Sequence, residues 1–261
     1  MPYDLKPYPM RKFHSALFLS SLLFFSFANA QLEKGNIIKY NLSGLAVKYH
    51  ALQFERVLNP KQSFALTVGF SPSNSLPFKD RLIELYGDDA QARTAIESTN
   101  FEKFTLTTEY RLYLSGKAPQ GFYLAPFLRY SNMQMSQQYS FIDSDNTTHN
   151  PVISGSFKGF GGGMLAGAQW ALGKSVVLDL WLAGPFIGTQ KASFNGVNDR
   201  AIINTAGLKA DIESVDIPLW NLSADVTNQN IGGSNKGVID VTLDGPFVGV
   251  RMFGLALGIR L

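Results

Sequence analysis

The sequence predicts an all-β fold: an eight-stranded antiparallel up-and-down transmembrane barrel with long extracellular loops. Three features lead to this fold class. Apolar residues alternate with small or polar residues, with a period of two, in several segments of the chain. Short connections between these segments alternate with long ones. The charged residues of the segments lie on the face opposite to the apolar one.

The composition fits a weakly charged, β-rich chain. Charged residues make up 16% of the 261 residues, against about 25% in ordinary soluble domains, whereas aromatic residues reach 13% and there are 24 glycines. The chain has no cysteine, which excludes disulfides, thiolate metal sites and cysteine nucleophiles. Because 23 basic residues nearly balance 20 acidic ones, no nucleic acid is expected as a partner.

The first thirty residues predict a signal peptide. Arg11 and Lys12 precede the apolar run Ala16–Phe27, and Ala28-Asn29-Ala30 has the pattern of a cleavage site. The run is shorter than the ~20 helical residues that cross a bilayer, and no later segment is apolar enough for a transmembrane helix. We therefore expect a signal peptide at 1–30 and an outer-membrane β-barrel at 31–261.

Eight strands are predicted from the alternation. It is clearest in the third, where Phe64, Leu66, Val68 and Phe70 share one face. Its phase slips near Gly44, which predicts a turn, and again between Met252 and Phe253, which predicts a bulge. In chain order the predicted strands are Asn36–Ala46, His50–Leu58, Ser63–Ser71, Phe104–Leu114, Phe122–Met135, Phe157–Leu172, Val176–Ala183 and Phe253–Leu261.

The connections between these strands are alternately tight and long. Three are rich in turn residues and suit hairpins: Asn59–Gln62, Gly116–Gly121 and Gly173–Ser175. Between them lie long connections, predicted as loops at 72–100, 142–156 and 191–244, with short helices expected at 80–98 and 199–215. Short turns at one end and long loops at the other are typical of outer-membrane barrels, which have periplasmic turns and extracellular loops.

The charges of the strands are assigned to the lumen. A charge facing lipid near the membrane midplane costs about 2–4 kcal/mol for Arg or Lys. A water-soluble barrel would instead bury these charges or expose its apolar face. Because eight strands enclose only their own side chains, we expect a paired, structural charge network; a narrow polar conduit is the alternative. Its predicted members are Lys39, Glu55, Glu109, Arg111, Arg129 and Asp179.

Aromatic residues are expected to form two belts at the membrane interfaces. One group lies beside the short turns and the other towards the long loops. The first consists of Phe64, Phe122 and Trp170, and the second of Phe70, Phe104, Tyr130 and Phe160.

Three short motifs resemble functional sites but lack residues that those sites need. His50 lies near Ser43 in sequence, but across a predicted turn and without the same-face spacing of a catalytic pair, which favours a solvated or interface histidine. Residues 143–154 lack the glycine and glutamate that an EF-hand loop needs at its sixth and twelfth positions. Gly161–Ala166 fits a dinucleotide-binding pattern, but further glycines interrupt the helix that must follow. We therefore predict no catalytic residue, no cofactor and no metal site.

Several short stretches resemble a known family. They are Phe54-Glu55-Arg56 with the Asn-Pro-Lys turn after it, Gly121–Tyr130, Gly167–Trp170 and Leu178–Leu180. Together they resemble a family of small outer-membrane barrels of unknown function, common in Bacteroidetes and OmpA- or OmpW-like in architecture. The resemblance covers most of residues 36–183 and the last strand. It implies a barrel fold and an outer-membrane location, and it brings no catalytic residues.

The resulting expectation is a non-enzymatic outer-membrane protein with a structural or surface-interaction role. Its expected partners are outer-membrane lipid and an extracellular ligand bound through the loops 72–100 and 191–244. Two alternatives stay open. One is a secreted lipocalin-like barrel that binds an apolar ligand, and the other is an outer-membrane lipid-modifying enzyme that uses His50.

Overall fold

The computed structural model describes residues 35–88, 90–138, 141–142, 148–149 and 152–261. The predicted signal peptide at 1–30 lies outside the described residues, as does most of the segment tested for an EF-hand loop. Within the described ranges, no helix is long and apolar enough to cross a membrane.

Antiparallel strands make up most of the fold. Short helices occur in the connections: the 3-10 helix Ser43–Val47 and the α-helices α1 (Lys79–Tyr86), α2 (Ala90–Ser98) and α3 (Thr205–Glu213). The strands are β1 (Asn36–Asn41), β2 (His50–Asn59), β3 (Gln62–Ser75), β4 (Asn100–Tyr113), β5 (Gly121–Gln138), β6 (Phe141–Ile142), β7 (Thr148–His149), β8 (Val152–Leu172), β9 (Val176–Asn198), β10 (Asn221–Ile231), β11 (Ser234–Pro246), β12 (Gly249–Arg251) and β13 (Gly254–Arg260).

Eight of these strands close into a ring, which confirms the predicted fold class. The order is β1-β2-β3-β4-β5-β8-β9-β13, and β13 pairs back with β1. Stepping from one Cα partner to the next around the ring, from Ile37 through β2 to β9, leads to Gly249. Gly249 lies eleven residues before Arg260, which is the partner of Ile37 across the β1–β13 pair that closes the ring. This stagger means that the strands are tilted, as closure of a sheet into a barrel requires.

The three predicted hairpin turns lie at one end of the ring, which we call the turn end. They connect β2 to β3, β4 to β5 and β8 to β9. Gly173 has a φ of 78°, a conformation that favours glycine, so it suits the β8–β9 turn. The opposite end, called the loop end, carries α1, α2 and α3.

The first strand is shorter than predicted. Strand β1 ends at Asn41 rather than Ala46, and the 3-10 helix follows. The Asn41 side chain accepts a hydrogen bond from the Gly44 amide at 3.2 Å, and the Tyr49 amide donates to the Gly44 carbonyl at 2.9 Å. These bonds turn the chain, so the phase slip near Gly44 marks a turn, as predicted.

The prediction of a loop at 191–244 is wrong. Strand β9 continues to Asn198, and the hairpin β10–β11 then pairs with it through β11. The hairpin turn, Gly232-Gly233, has positive φ at both positions, as a two-residue turn between strands favours. We call β9 from Lys191 onwards, α3 and the β10–β11 hairpin the outer extension. Helix α3 lies within the predicted helical range 199–215.

The chain returns from the outer extension to the ring along β9. Strand β11 pairs with the loop end of β9, β12 with its middle and β13 with its turn end. The break between β12 and β13 falls at Met252 and Phe253, where the sequence predicts a bulge. One long strand, β9, therefore belongs to both the ring and the outer extension.

The ring is apolar outside and polar at its centre. Phe64 and Val68 on the outward face are 41% and 40% exposed, whereas Arg111 and Asp179 on the inward face are both fully buried. Inside the ring, a small apolar cluster packs beside the buried charges. It contains Tyr113, Tyr123, Ala125, Phe127, Leu165, Trp181 and Ala256.

Candidate functional site

The outward face of the ring is lined with exposed apolar side chains on every strand. Near the loop end, aromatic residues of the predicted second belt lie directly opposite each other on neighbouring strands: Phe70 opposite Phe104, and Tyr130 opposite Phe160. Exposed large apolar side chains of the ring include Ile38, Leu52, Phe54, Phe64, Val68, Phe70, Phe104, Leu106, Leu112, Phe122, Leu124, Leu128, Phe160, Met164, Trp170, Leu182, Leu257 and Ile259.

The lumen of the ring contains a network of buried charges centred on Arg111 of β4. Its guanidinium donates to both Glu109 and Asp179 at 2.7 Å. A longer bond of 3.5 Å joins Arg111 Nη1 to Glu55, and Nη2 donates to the side-chain oxygen of Gln53 at 3.0 Å. One cation therefore connects carboxylates that β2, β4 and β9 bring from three sides of the barrel.

Lys39 of β1 is the second cation of the network. Its ammonium group donates to Asp179 at 2.6 Å and to the Gln169 side-chain oxygen at 2.5 Å, and it forms an ion pair with Glu55. Asp179 and Glu55 are each shared between Lys39 and Arg111. The alternation places these residues on the inward face of their strands, and closure of the ring brings the faces together.

Hydroxyl groups satisfy the remaining carboxylate oxygens. Tyr113 and Ser63 donate to Oε1 of Glu55 at 2.7 and 2.5 Å, and Tyr123 donates to Oδ1 of Asp179 at 2.8 Å. Buried charges are stable when they are paired and hydrogen-bonded in this way. These hydroxyl donors were not among the predicted site residues, because a tyrosine or serine on an inward face has no distinguishing pattern.

Arg251 is a third cation of the network that the sequence analysis missed. Its Nη1 donates to Oε1 of Glu109 at 2.8 Å, and its guanidinium lies 5.2 Å from the ring centre of Phe127 and 5.6 Å from that of Trp181. Residue 251 lies on the short strand β12, which was not predicted. The apolar residues Val250 and Met252 alternate with Arg251, and this alternation in the sequence indicates a strand with Arg251 on its inward face.

The network of Lys39, Arg111, Arg251, Glu55, Glu109 and Asp179 is electrically neutral, with three cations and three carboxylates. We call it the lumen plug. Five of the six predicted site residues belong to it. Because no unpaired charge is left within this set, the large cost of a buried unpaired ion is avoided.

The sixth predicted site residue, Arg129, lies outside the lumen plug. It is on the inward face of β5 opposite Thr107, towards the loop end, and its Nη1 is 3.5 Å from the Thr107 hydroxyl. Glu109, by contrast, lies opposite Phe127. Thr107 and Glu109 are successive inward residues of β4. Arg129 therefore lies one inward position nearer the loop end than Phe127, and this displacement separates it from the carboxylates of the plug.

Aromatic side chains fill the lumen on the loop side of the plug. Phe186 stacks edge-on against Phe247 with 4.8 Å between ring centres, and Phe247 contacts Phe157 at 5.5 Å in the same way. Phe127 joins them at 6.2 Å from Phe186. Aromatic side chains therefore pack in the lumen directly above the plug.

The other motifs of the sequence do not form a reactive site. His50 and Tyr40 share a hydrogen bond of 2.6 Å, and the His50 ring stacks on Phe70, whereas the Ser43 hydroxyl donates to Asn41. Gly161–Ala166 lies inside β8 rather than at a strand-to-helix turn. No group of His, Asp and Glu side chains able to hold a metal ion occurs in the described part of the chain.

The comparisons with known proteins point to one family. Residues 16–209 match the family described as "Protein of unknown function (DUF3575)". This chain belongs to the DUF3575 family. The matched residues include most of the ring strands and five of the six members of the lumen plug, all except Arg251. No curated protein matches the chain at a significant level.

Among solved structures, this DUF3575 protein is similar to the crystal structure of Acinetobacter baumannii CarO. The two share 12% sequence identity, with a TM-score of 0.38, over 84% of this chain and 100% of the CarO chain. The barrel assignment depends on the strand pairing described above and not on this distant likeness.

Proposed function

We propose that this protein is a bacterial outer-membrane β-barrel, non-enzymatic, with a structural or surface-interaction role. One observation carries the proposal: large apolar side chains surround the outside of the closed ring while its ionised side chains meet inside. Water outside the ring would disfavour this arrangement, whereas lipid favours it. The strand pairing and the family match establish a closed β-barrel of the DUF3575 family.

The height of the apolar surface supports the membrane assignment. On β4 and just beyond, outward residues are apolar or uncharged from Leu114 to Phe104, and Glu102 follows. Ten residue steps of about 3.3 Å, tilted by about 45°, span roughly 23 Å. Apolar bands of outer-membrane barrels are about 25 Å tall. Strand β4 therefore has the right length to cross a bilayer.

The lumen plug supports a structural role over transport. An eight-stranded barrel is only wide enough for its own side chains, and here the plug and the aromatic cluster fill the centre. A polar conduit would need a continuous gap past Arg111, which contacts carboxylates from three strands. We propose that the barrel does not conduct ions.

Neither alternative function gains support from a specific contact. A lipocalin-like barrel needs an apolar inner cavity, but the centre of this lumen contains ionised groups. A lipid-modifying enzyme that uses His50 needs a nucleophile beside the imidazole, but the neighbour of His50 is the Tyr40 hydroxyl.

The surface role is assigned to the loop end. The segment between β3 and β4 contains α1 and α2, and the outer extension adds a further sheet edge, so this end carries most of the protein outside the apolar band. Function commonly lies on such segments above a rigid scaffold. We propose that an extracellular ligand binds to these folded elements within 72–100 and 191–244.

Topology in cells tests the proposal. A protease recognition site is inserted at Gly232-Gly233, at the tip of the outer extension, and a matched one after Lys174, in the turn-end hairpin. We expect added protease to cleave intact cells at the first site only, and the protein to sediment with outer membranes and show heat-modifiable gel migration. Release as a soluble periplasmic protein would refute the membrane assignment, and ion conductance of the purified barrel in a planar bilayer would refute the closed lumen.

A further inference from the structure

A groove lies on the outward face of the barrel at the upper edge of its apolar band. It crosses β8, β9 and β11, has a volume of about 640 Å³, and is bordered by the segment that leads into β10. On one side its walls are the apolar side chains of Tyr130, Phe160 and Leu219, and on the other the lysines Lys158 and Lys191. The groove therefore joins an apolar surface to a cationic one.

The two lysines lie directly opposite each other. Lys158 of β8 is the Cα partner of Lys191 of β9, and both side chains are exposed. Like charges in this position destabilise a sheet unless an anion lies between them. The Asp244 carboxylate compensates this positive charge only weakly, because it lies 3.9 Å from Lys191 Nζ. In the part of the chain that the structure describes, no carboxylate forms an ion pair with Lys158.

Leu219 gives an independent indication of a ligand with an apolar part. It is 85% exposed and has a φ of 70°, which is unfavourable for a residue with a bulky side chain. The neighbouring Trp220 packs on Gly245, just beyond the last pair of β10 with β11, while Leu219 lines the groove. The exposed apolar surface of Leu219 is removed from water when an apolar group covers it, which favours a ligand with an apolar part.

We propose that this groove binds a phosphate-bearing lipid of the outer leaflet, its phosphate between Lys158 and Lys191 and one acyl chain along Phe160 and Leu219. The proposal rests on the membrane location proposed above. A free phosphate ion would use the lysines alone, but the apolar side of the groove and its position at the edge of the apolar band favour a lipid. Cationic side chains at this level attract anionic headgroups.

Lipid retention tests this proposal. The full chain is reconstituted into phosphatidylcholine nanodiscs containing either diphosphoryl lipid A or its dephosphorylated form, and lipid retained after extraction is counted by native mass spectrometry. We expect the double variant Lys158→Gln/Lys191→Gln to reduce retention of diphosphoryl lipid A by about tenfold or more. The matched control Lys117→Gln/Lys174→Gln, with two exposed lysines at the turn end, should retain it like the wild type.

Further measurements distinguish a phosphate-bearing lipid from a free phosphate ion as the ligand. Dephosphorylated lipid A should bind equally weakly to all variants, Leu219→Asn should weaken retention of diphosphoryl lipid A, and inorganic phosphate should not displace it. Equal retention by the wild type and the Lys158/Lys191 double variant would overturn the inference, as would displacement by inorganic phosphate at the concentration of the lipid. Failure of the wild-type chain to enter nanodiscs, measured by co-purification with the scaffold protein, would overturn the proposed function as well.

Discussion

The ring and the outer extension are built on the same strand, β9, yet they are stabilised differently. In the ring, β9 places Asp179 in the lumen plug and Leu182 on the outer surface. In the outer extension it pairs with β11, and polar side chains lie on the outside, with Asn195 donating to Asp240 at 2.6 Å. The outward face of β9 is thus apolar in the ring and polar in the outer extension, and the change occurs near Lys191.

The two regions also differ in how they treat charge. The ring gathers ionised groups into a neutral set that is buried except at Arg251, which is partly exposed. Ion pairs of the loop end are exposed, such as Lys209–Glu213 in α3 and Arg93–Glu97 in α2. Buried pairs lose much more than exposed pairs when one partner is removed, because the other charge is left without compensation. The same substitution should therefore have very different effects in the two regions.

The largest effect is expected from removal of the central cation. Arg111→Met leaves Glu109, Asp179 and Glu55 with only Lys39 and Arg251, so one buried negative charge is uncompensated. We expect the free energy of unfolding to fall by about 3–5 kcal/mol, measured by urea titration in lipid vesicles. The control Arg93→Met, at an exposed pair of α2, should change it by no more than about 0.5 kcal/mol. Similar losses in both variants would show that the plug is not specially stabilised.

The next largest effect concerns the outer surface. Leu128 faces outward on β5 in the middle of the proposed apolar band, and Leu128→Arg should cost about 2–4 kcal/mol in a bilayer. Gln134→Arg, on the same face of the same strand but beyond the band, should cost about 0–1 kcal/mol. The measurement is again urea unfolding in vesicles. If both positions tolerate arginine equally, the surface around Leu128 does not face lipid.

A double-mutant cycle sharpens the contrast in charge. Lys39→Met alone leaves the plug with an excess negative charge, and Glu55→Gln removes that charge while keeping an acceptor for the Tyr113 hydroxyl. We expect a coupling free energy of about 1–3 kcal/mol between the two substitutions. The equivalent cycle at Lys209 and Glu213 in α3 should give at most about 0.5 kcal/mol. Equal couplings would contradict the proposed difference between buried and exposed pairs.

Most of the ring could be predicted from the sequence because its two faces meet very different surroundings. Lipid on one side and a charged lumen on the other impose a strict period of two, which identified the eight strands and placed Lys39, Glu55 and Asp179 in one lumen. The outer extension lacks this constraint. Polar or glycine residues such as Asn195, Gly196 and Asn198 lie close together there, so the alternation is lost and 191–244 was predicted as a loop.

The composition of the lumen plug could be predicted only in part, because register between strands cannot be read from a single sequence. Arg129 and Arg111 both face inward, but only pairing places Arg111 among the carboxylates and Arg129 opposite Thr107. Arg251 was missed for a related reason: it lies on a three-residue strand whose pairing with β9 defines it. Closure of the ring, rather than local pattern, selects the members of the plug.

The smallest expected effect concerns the free edge of the outer extension. Among the strands that the structure describes, β10 pairs with β11 alone, and the Glu213 carboxylate accepts a hydrogen bond from the Ala224 amide of β10 at 3.0 Å. Covering an edge amide in this way limits pairing with other chains. Glu213→Ala should speed hydrogen exchange at the Ala224 amide by roughly fivefold, whereas Asp211→Ala, also exposed on α3, should not. Because no plug residue contacts Glu213, exchange at ring amides such as that of Leu124 should stay unchanged; a change there would show that the two regions unfold together and are not independent.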